Sequence, residues 1–113
     1  MNNRIEIARE FAEAINSDKI VKIILFGSVA RKEDTEDSDI DILIVSDFWE
    51  EIDPIITDLV GDIVLEKQEL ISVHIMPVKR FNTTQSYSFC LMYLRKELYL
   101  SEIDGLLTML KNS

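Results

Sequence analysis

The stretch Asp39-Ile40-Asp41-Ile42-Leu43-Ile44-Val45 limits what this chain can fold into more than any other. Side chains alternate along a strand, so Ile40, Ile42 and Ile44 share one face while Asp39, Asp41 and Leu43 share the other. The isoleucine face is a core face. The same strand therefore holds two carboxylates together on its opposite side, about 7 Å apart at most by strand rise. Like charges that close to a hydrophobic core repel, and a shared proton or a bound divalent cation would relieve them. Hard oxygen donors in this number suit Mg²⁺, which takes one or two carboxylates and keeps its other positions for water and phosphate.

The residues just upstream supply a second half to the pattern. Lys19–Phe26, "KIVKIILF", is β-branched and nearly all apolar, which predicts a central strand. Gly27-Ser28 breaks that run, and "SVARKE" from Ser28 onward predicts a short helix. Backbone N–H groups exposed at such a break make an anion site, and glycine lets the chain approach a ligand with no Cβ in the way. Ser28 adds a hydroxyl donor, and Ala30 is small enough for the helix to lie close to the strand. Arg31 is placed either for a phosphate contact or for a surface pair with the nearby acids. A phosphate cradle facing a carboxylate-held metal is the minimal apparatus for nucleotidyl transfer.

The rest of the chain alternates helix and strand. Apolar residues at helical spacing, Ile5, Ala8, Phe11, Ala12 and Ile15, predict a helix over 3–16. Asp47 followed by Glu50 resembles a capping box opening a helix over 48–60, with Pro54 either near its first turns or kinking it. "LISVHIMP" at 70–77 is a third strand, followed by a helix over 79–97 and a short closing helix in "SEIDGLLTMLKN". At 113 residues this amounts to one α/β (α+β) domain over 1–113, a small mixed β-sheet flanked by helices.

A net charge of −9 argues against a nucleic acid polymer as a direct ligand, since such a surface must displace counterions with Lys and Arg. Cys90 is the only cysteine, which precludes an intramolecular disulfide and makes a cytoplasmic home the simplest. The opening "MNNRIEIARE" lacks the apolar run of a signal peptide, and no stretch approaches the roughly 20 apolar residues of a membrane span.

Gly27-Ser28, ten intervening residues, then Asp39-Ile40-Asp41 reproduces the pattern G-S-x10-D-x-D. With "GSVAR" and "SDIDILIV" around it, the chain resembles the minimal nucleotidyltransferases, the MNT family of the DNA polymerase beta-like superfamily. The resemblance implies the nucleotidyltransferase fold and Mg²⁺-dependent transfer of a nucleoside monophosphate to a hydroxyl, most often from ATP. It assigns catalysis and metal binding to Asp39 and Asp41, and nucleotide binding to Gly27, Ser28 and Arg31. Family members of this size commonly serve as antitoxins to HEPN-domain toxins, and some AMPylate a tyrosine of that partner.

Active relatives in the superfamily carry a third carboxylate on the next core strand. Here the corresponding face of "LISVHIMP" presents Ser72, His74 and Met76, with no acid. Three readings stay open: His74 as metal ligand or base, Glu66 or Glu69 reaching in from the preceding turn, or no third acid and weak or lost activity. Two alternatives accompany the protein-modifying enzyme: a degenerate domain that acts by binding its partner, and a nucleotidyltransferase of small molecules.

Other conspicuous residues are expected to play plainer parts. Glu33, Asp34, Glu36 and Asp37 form a solvated loop, Lys79 and Arg80 open a helix, and Trp49 is a core or rim residue rather than a base-stacking platform. Residues 87–100, rich in Tyr, Phe, Leu and Met, cover the sheet first and offer an oligomer or partner interface second.

Overall fold

A computed structural model describes residues 3–84 and 98–99. The chain runs through α1 (Arg4–Ile15), β1 (Lys22–Phe26), α2 (Gly27–Ala30), β2 (Ile40–Val45), α3 (Trp49–Lys67), β3 (Ile71–Met76), α4 (Val78–Thr84) and β4 (Leu98–Tyr99). The four strands form a mixed sheet in the order β3-β2-β1-β4. β1 pairs antiparallel with β2 and with β4, whereas β2 and β3 run parallel. No helix among the described residues is long and apolar enough to cross a membrane.

Period-two patterning decides which side of this sheet is core. Ile23, Leu25, Ile40, Ile42, Ile44 and Ile71 are buried on one face. Phe11, Ala8 and Ile15 of α1 cover them together with Ile52 and Ile56 of α3. Asn3 starts α1 as its N-cap, its Oδ1 accepting from the Glu6 N–H at 3.1 Å, in agreement with the preference for Asn there. The buried stripe of α1 is Arg4, Ile7, Ala8, Phe11, Ala12 and Ile15. Ile5, expected on that stripe, is only partly buried, and Ile7 takes its place.

On the opposite face the described residues build a second cluster at one end. There Ile24 of β1 and Val45 of β2 pack under Phe81 of α4, with Leu43, Met76 and Val78 around them. The other end of that face, where Phe26, Asp41 and Ser72 stand in register across β1, β2 and β3, lies away from this cluster.

Two expected boundaries move for identifiable reasons. α3 continues through Gly61 to Lys67 because Leu59, Val60 and Ile63 keep packing against the core. It ends at Gln68, whose φ of 56° is the left-handed conformation that stops a helix. The capping box expected at Asp47 and Glu50 does not form. Phe48 is the N-cap, with no side-chain cap bond, and Asp47 Oδ1 instead accepts from the Val78 N–H at 3.0 Å, tying this turn to the start of α4. Trp49 is exposed at 55%, which places it on the surface and not in the core. The helix expected over 79–97 is observed as far as Thr84, and its remainder, the closing helix and most of the 87–100 stretch lie outside the described residues.

Candidate functional site

The sequence folds into a sharp corner at Gly27. β1 delivers Phe26 in extended conformation, and α2 begins at once, with Arg31 N–H donating to the Gly27 carbonyl at 3.2 Å and Glu33 N–H to the Ser28 carbonyl at 2.8 Å. Gly27 has φ +76°, a region that L side chains rarely adopt. A Cβ at this position would collide with the carboxylate of Asp41, and so the glycine is required both by backbone conformation and by the close approach of β2.

Asp41 reaches the corner from β2, and Asp39 ends the loop just before that strand. Asp41 stands opposite Phe26 on one side and Ser72 on the other, half-buried, while Asp39 is exposed. Burial pushes the Asp41 carboxyl above its ordinary value, and the charge of Asp39 pushes the same way. The charges of His74 and Arg31 pull it back down, too little to cancel the rise. The sign of that shift marks Asp41 as a partly desolvated carboxylate whose charged form the described surroundings do not fully compensate.

β3 brings the third strand's polar face alongside, as its alternation requires. Ser72 pairs in register with Asp41, and His74 with Leu43. The His74 ring leans across β2 to meet Phe26, ring centroids 5.5 Å apart and planes at 56°. This contact forms an aromatic wall beside Asp41. Phe26 could have been placed there from sequence by counting back from Gly27 along the strand, since Ile24 and Phe26 share the face opposite Ile23 and Leu25.

The other expected residues have surroundings of their own. Arg31 pairs with Glu33, its Nε 3.1 Å from Oε2, so one of its donors faces the loop. Glu69 is buried and accepts from Arg4 Nε at 2.8 Å. Glu66 is exposed on α3, the helix that covers the isoleucine face. Lys79 and Arg80 lie exposed on α4. Among the described residues, no three His, Cys, Asp or Glu side chains are gathered so as to hold a metal ion. Asp34, expected in solvent, is half-buried and bonded to Arg4, a residue that carries no local motif.

What the corner can do follows from its donors. Asp39 and Asp41 are a two-carboxylate set with excess negative charge, suited to a hard divalent cation that fills its remaining positions with phosphate oxygens and water. The space that a side chain at Gly27 would fill belongs to Asp41, which brings the backbone of α2's first turn and the Asp41 carboxylate together.

The chain is similar to known proteins along most of its length. Residues 5–103 match the family described as the nucleotidyltransferase domain. A protein of Methanocaldococcus jannaschii, provisionally named a protein adenylyltransferase, is 40% identical over 90 residues, covering 77% of this chain and 87% of the relative. Two solved structures share the fold at 17% identity and a TM-score of 0.50, each covering 99% of this chain and 89% of the other. One is a mutant of the toxin–antitoxin MntA–HpeT, and the other is a toxin–antitoxin with AMP-PNP.

Proposed function

The chain belongs to the nucleotidyltransferase domain family and is a transferase of that family, and from this premise we propose that it moves AMP from ATP to a hydroxyl of a protein partner, acting as the antitoxin of a toxin–antitoxin pair. The observation that carries this reading is the apposition of Asp41 to Gly27, which places a carboxylate against a strand-to-helix corner free of side chain. The name of the M. jannaschii relative favours a protein acceptor, and the names of the two structural neighbours favour a toxin in that role. A HEPN-type toxin is the partner class that the motif resemblance suggests.

In this reading Asp39 and Asp41 hold Mg²⁺, which when bound supplies positive charge for the triphosphate and for the departing pyrophosphate. The backbone at Gly27 and the Ser28 hydroxyl seat the phosphates, and Arg31 turns from Glu33 to meet them. The acceptor oxygen bonds to the α-phosphorus, the bond from that phosphorus to the pyrophosphate oxygen breaks, and the hydroxyl proton passes to a base. His74, exposed beside Phe26 on the Asp41 face, is the candidate for that proton, and with Ser72 it occupies the position of the third acid.

A second reading has one observation in its favour. With no third ligating side chain beside Asp39 and Asp41 among the described residues, the domain would neutralise its partner by binding alone. Labelled ATP, Mg²⁺ and a HEPN-type toxin separate the two. Label on the toxin, lost in Asp39→Asn, supports transfer. Tight binding without label, unchanged in Asp39→Asn, supports the binding reading, and label on an added small alcohol in place of the toxin moves the acceptor to small molecules.

A further inference from the structure

We infer that Arg4 is a positioning residue for the candidate site, holding the loop that presents Asp39; the inference rests on the assignment of Asp39 as a metal-binding carboxylate. Arg4 opens α1 and is only 6% exposed. Each of its three guanidinium nitrogens is engaged. Nε donates to Glu69 Oε2 at 2.8 Å, and Nη1 to Asp34 Oδ2 at 3.1 Å and to the Thr35 carbonyl. Nη2 donates to the Glu36 carbonyl at 3.0 Å.

Two of these bonds go to backbone, and that separates positioning from charge balance. The Thr35 and Glu36 carbonyls belong to the loop between α2 and β2, whose last residue before the strand is Asp39. The loop then folds on itself: Ser38 N–H donates to the Thr35 carbonyl at 3.1 Å, and Thr35 N–H donates to Ser38 Oγ at 2.9 Å. Fixing Thr35 therefore fixes Ser38, and Ser38 carries Asp39. On the other side, Glu69 precedes Leu70, whose carbonyl accepts the Ile40 N–H at 2.9 Å. One guanidinium thus grips the chain on both flanks of the point where β2 begins. The Asp39 carboxylate makes no hydrogen bond or ion pair with another described residue, so its backbone decides where it points.

Arginine suits this task because its planar fork offers several donors in fixed directions, whereas a lysine ammonium would keep the charge and lose the simultaneous grip. Replacing a buried pair by apolar side chains of similar length commonly preserves stability, while removing one partner alone does not. Two variants of the full chain therefore test the inference: Arg4→Lys, and Arg4→Met combined with Glu69→Met. Each is measured for Mn²⁺ affinity by electron paramagnetic resonance, for amide hydrogen exchange over residues 35–40, and for metal-free thermal unfolding.

The expected result is a folded protein with at least tenfold weaker Mn²⁺ binding and faster exchange at Asp37 to Ile40 in both variants. Mn²⁺ affinity within twofold of wild type in either folded variant, with unchanged exchange, overturns it. Should the double variant fail to fold, Arg4→Lys alone decides by the same two readouts. Should the wild-type chain bind no Mn²⁺, the metal assignment has failed, and the exchange data still decide the grip: unchanged exchange overturns it.

Discussion

A Cβ on Gly27 would lie 3.2 Å from Cγ of Asp41 and 3.3 Å from its Cβ, with the carboxylate oxygen nearer still. The corner between β1 and α2 therefore exists only while that side chain is absent. Gly27→Ala is expected to cost about 1–2 kcal/mol from the left-handed backbone alone and to displace Asp41 as well. Gly61→Ala is the matched control, since a Cβ there meets nothing within 4 Å in the exposed interior of α3. It is expected to stabilise the protein by about 0.5–1 kcal/mol. Denaturant midpoints and nucleotidyl transfer, measured on both, should move in opposite directions for stability and fall only for Gly27→Ala in activity.

Asp41 carries the electrostatic strain of the site. Burial and then Asp39 raise its carboxyl above the ordinary range, so it holds its proton more tightly folded than unfolded. Its contribution to stability is complete below the unfolded carboxylate value and is lost as the pH rises through the raised folded value. Metal-free Asp41→Asn should thus melt above wild type at neutral pH, and the gap should close as the pH falls below the carboxylate range. Added Mg²⁺ should raise the melting temperature of wild type and leave that of Asp41→Asn unmoved. Calorimetry across pH, with and without Mg²⁺, checks both signs.

The parts of this site that could be read in advance are those governed by period two. Ile40, Ile42 and Ile44 are fully buried, and Ser72 and His74 stand on the Asp41 face of β3, because a strand leaves no other choice once its core face is known. Arg4 is not legible from local pattern, because its partners lie 30 to 65 positions away and no local rule connects them. A signal was available all the same. Arg4 sits three and four residues before Ile7 and Ala8, on the buried stripe of α1, where a charge must find partners. Asp47 misled for the opposite reason, since its local pattern was sound and a distant backbone N–H took its carboxylate.

That distant bond is itself testable. Asp47 Oδ1 accepts from Val78 N–H at the first residue of α4, the role an N-cap side chain fills. Asp47→Ala is expected to cost about 1 kcal/mol, the usual loss for a missing cap. The Val78 amide should exchange faster with solvent, and Phe81, which α4 presses onto Ile24 and Val45, should loosen with it. Because that cluster lies at the end of the face away from Asp41, nucleotidyl transfer should change by less than about twofold, well under the effect of 1.4 kcal/mol at the reacting groups.

Ser72 offers the most direct probe of the third carboxylate that the site lacks among the described residues. It pairs in register with Asp41 on the parallel strand β3, so its side chain projects from the same face of the sheet as the two acids' own strand presents at Asp41. Ser72→Asp places a third carboxylate beside the pair. Without metal, that charge adds to the repulsion already raising the Asp41 carboxyl, and the variant should melt below wild type at neutral pH. With Mg²⁺ or Mn²⁺ the balance reverses, because each added carboxylate strengthens a site for a hard cation. An affinity gain of about tenfold, equivalent to 1.4 kcal/mol, is the expected outcome by titration calorimetry. Unchanged affinity in a folded Ser72→Asp would mean that the cation does not bind between β2 and β3, and the metal assignment of Asp41 would fall with it.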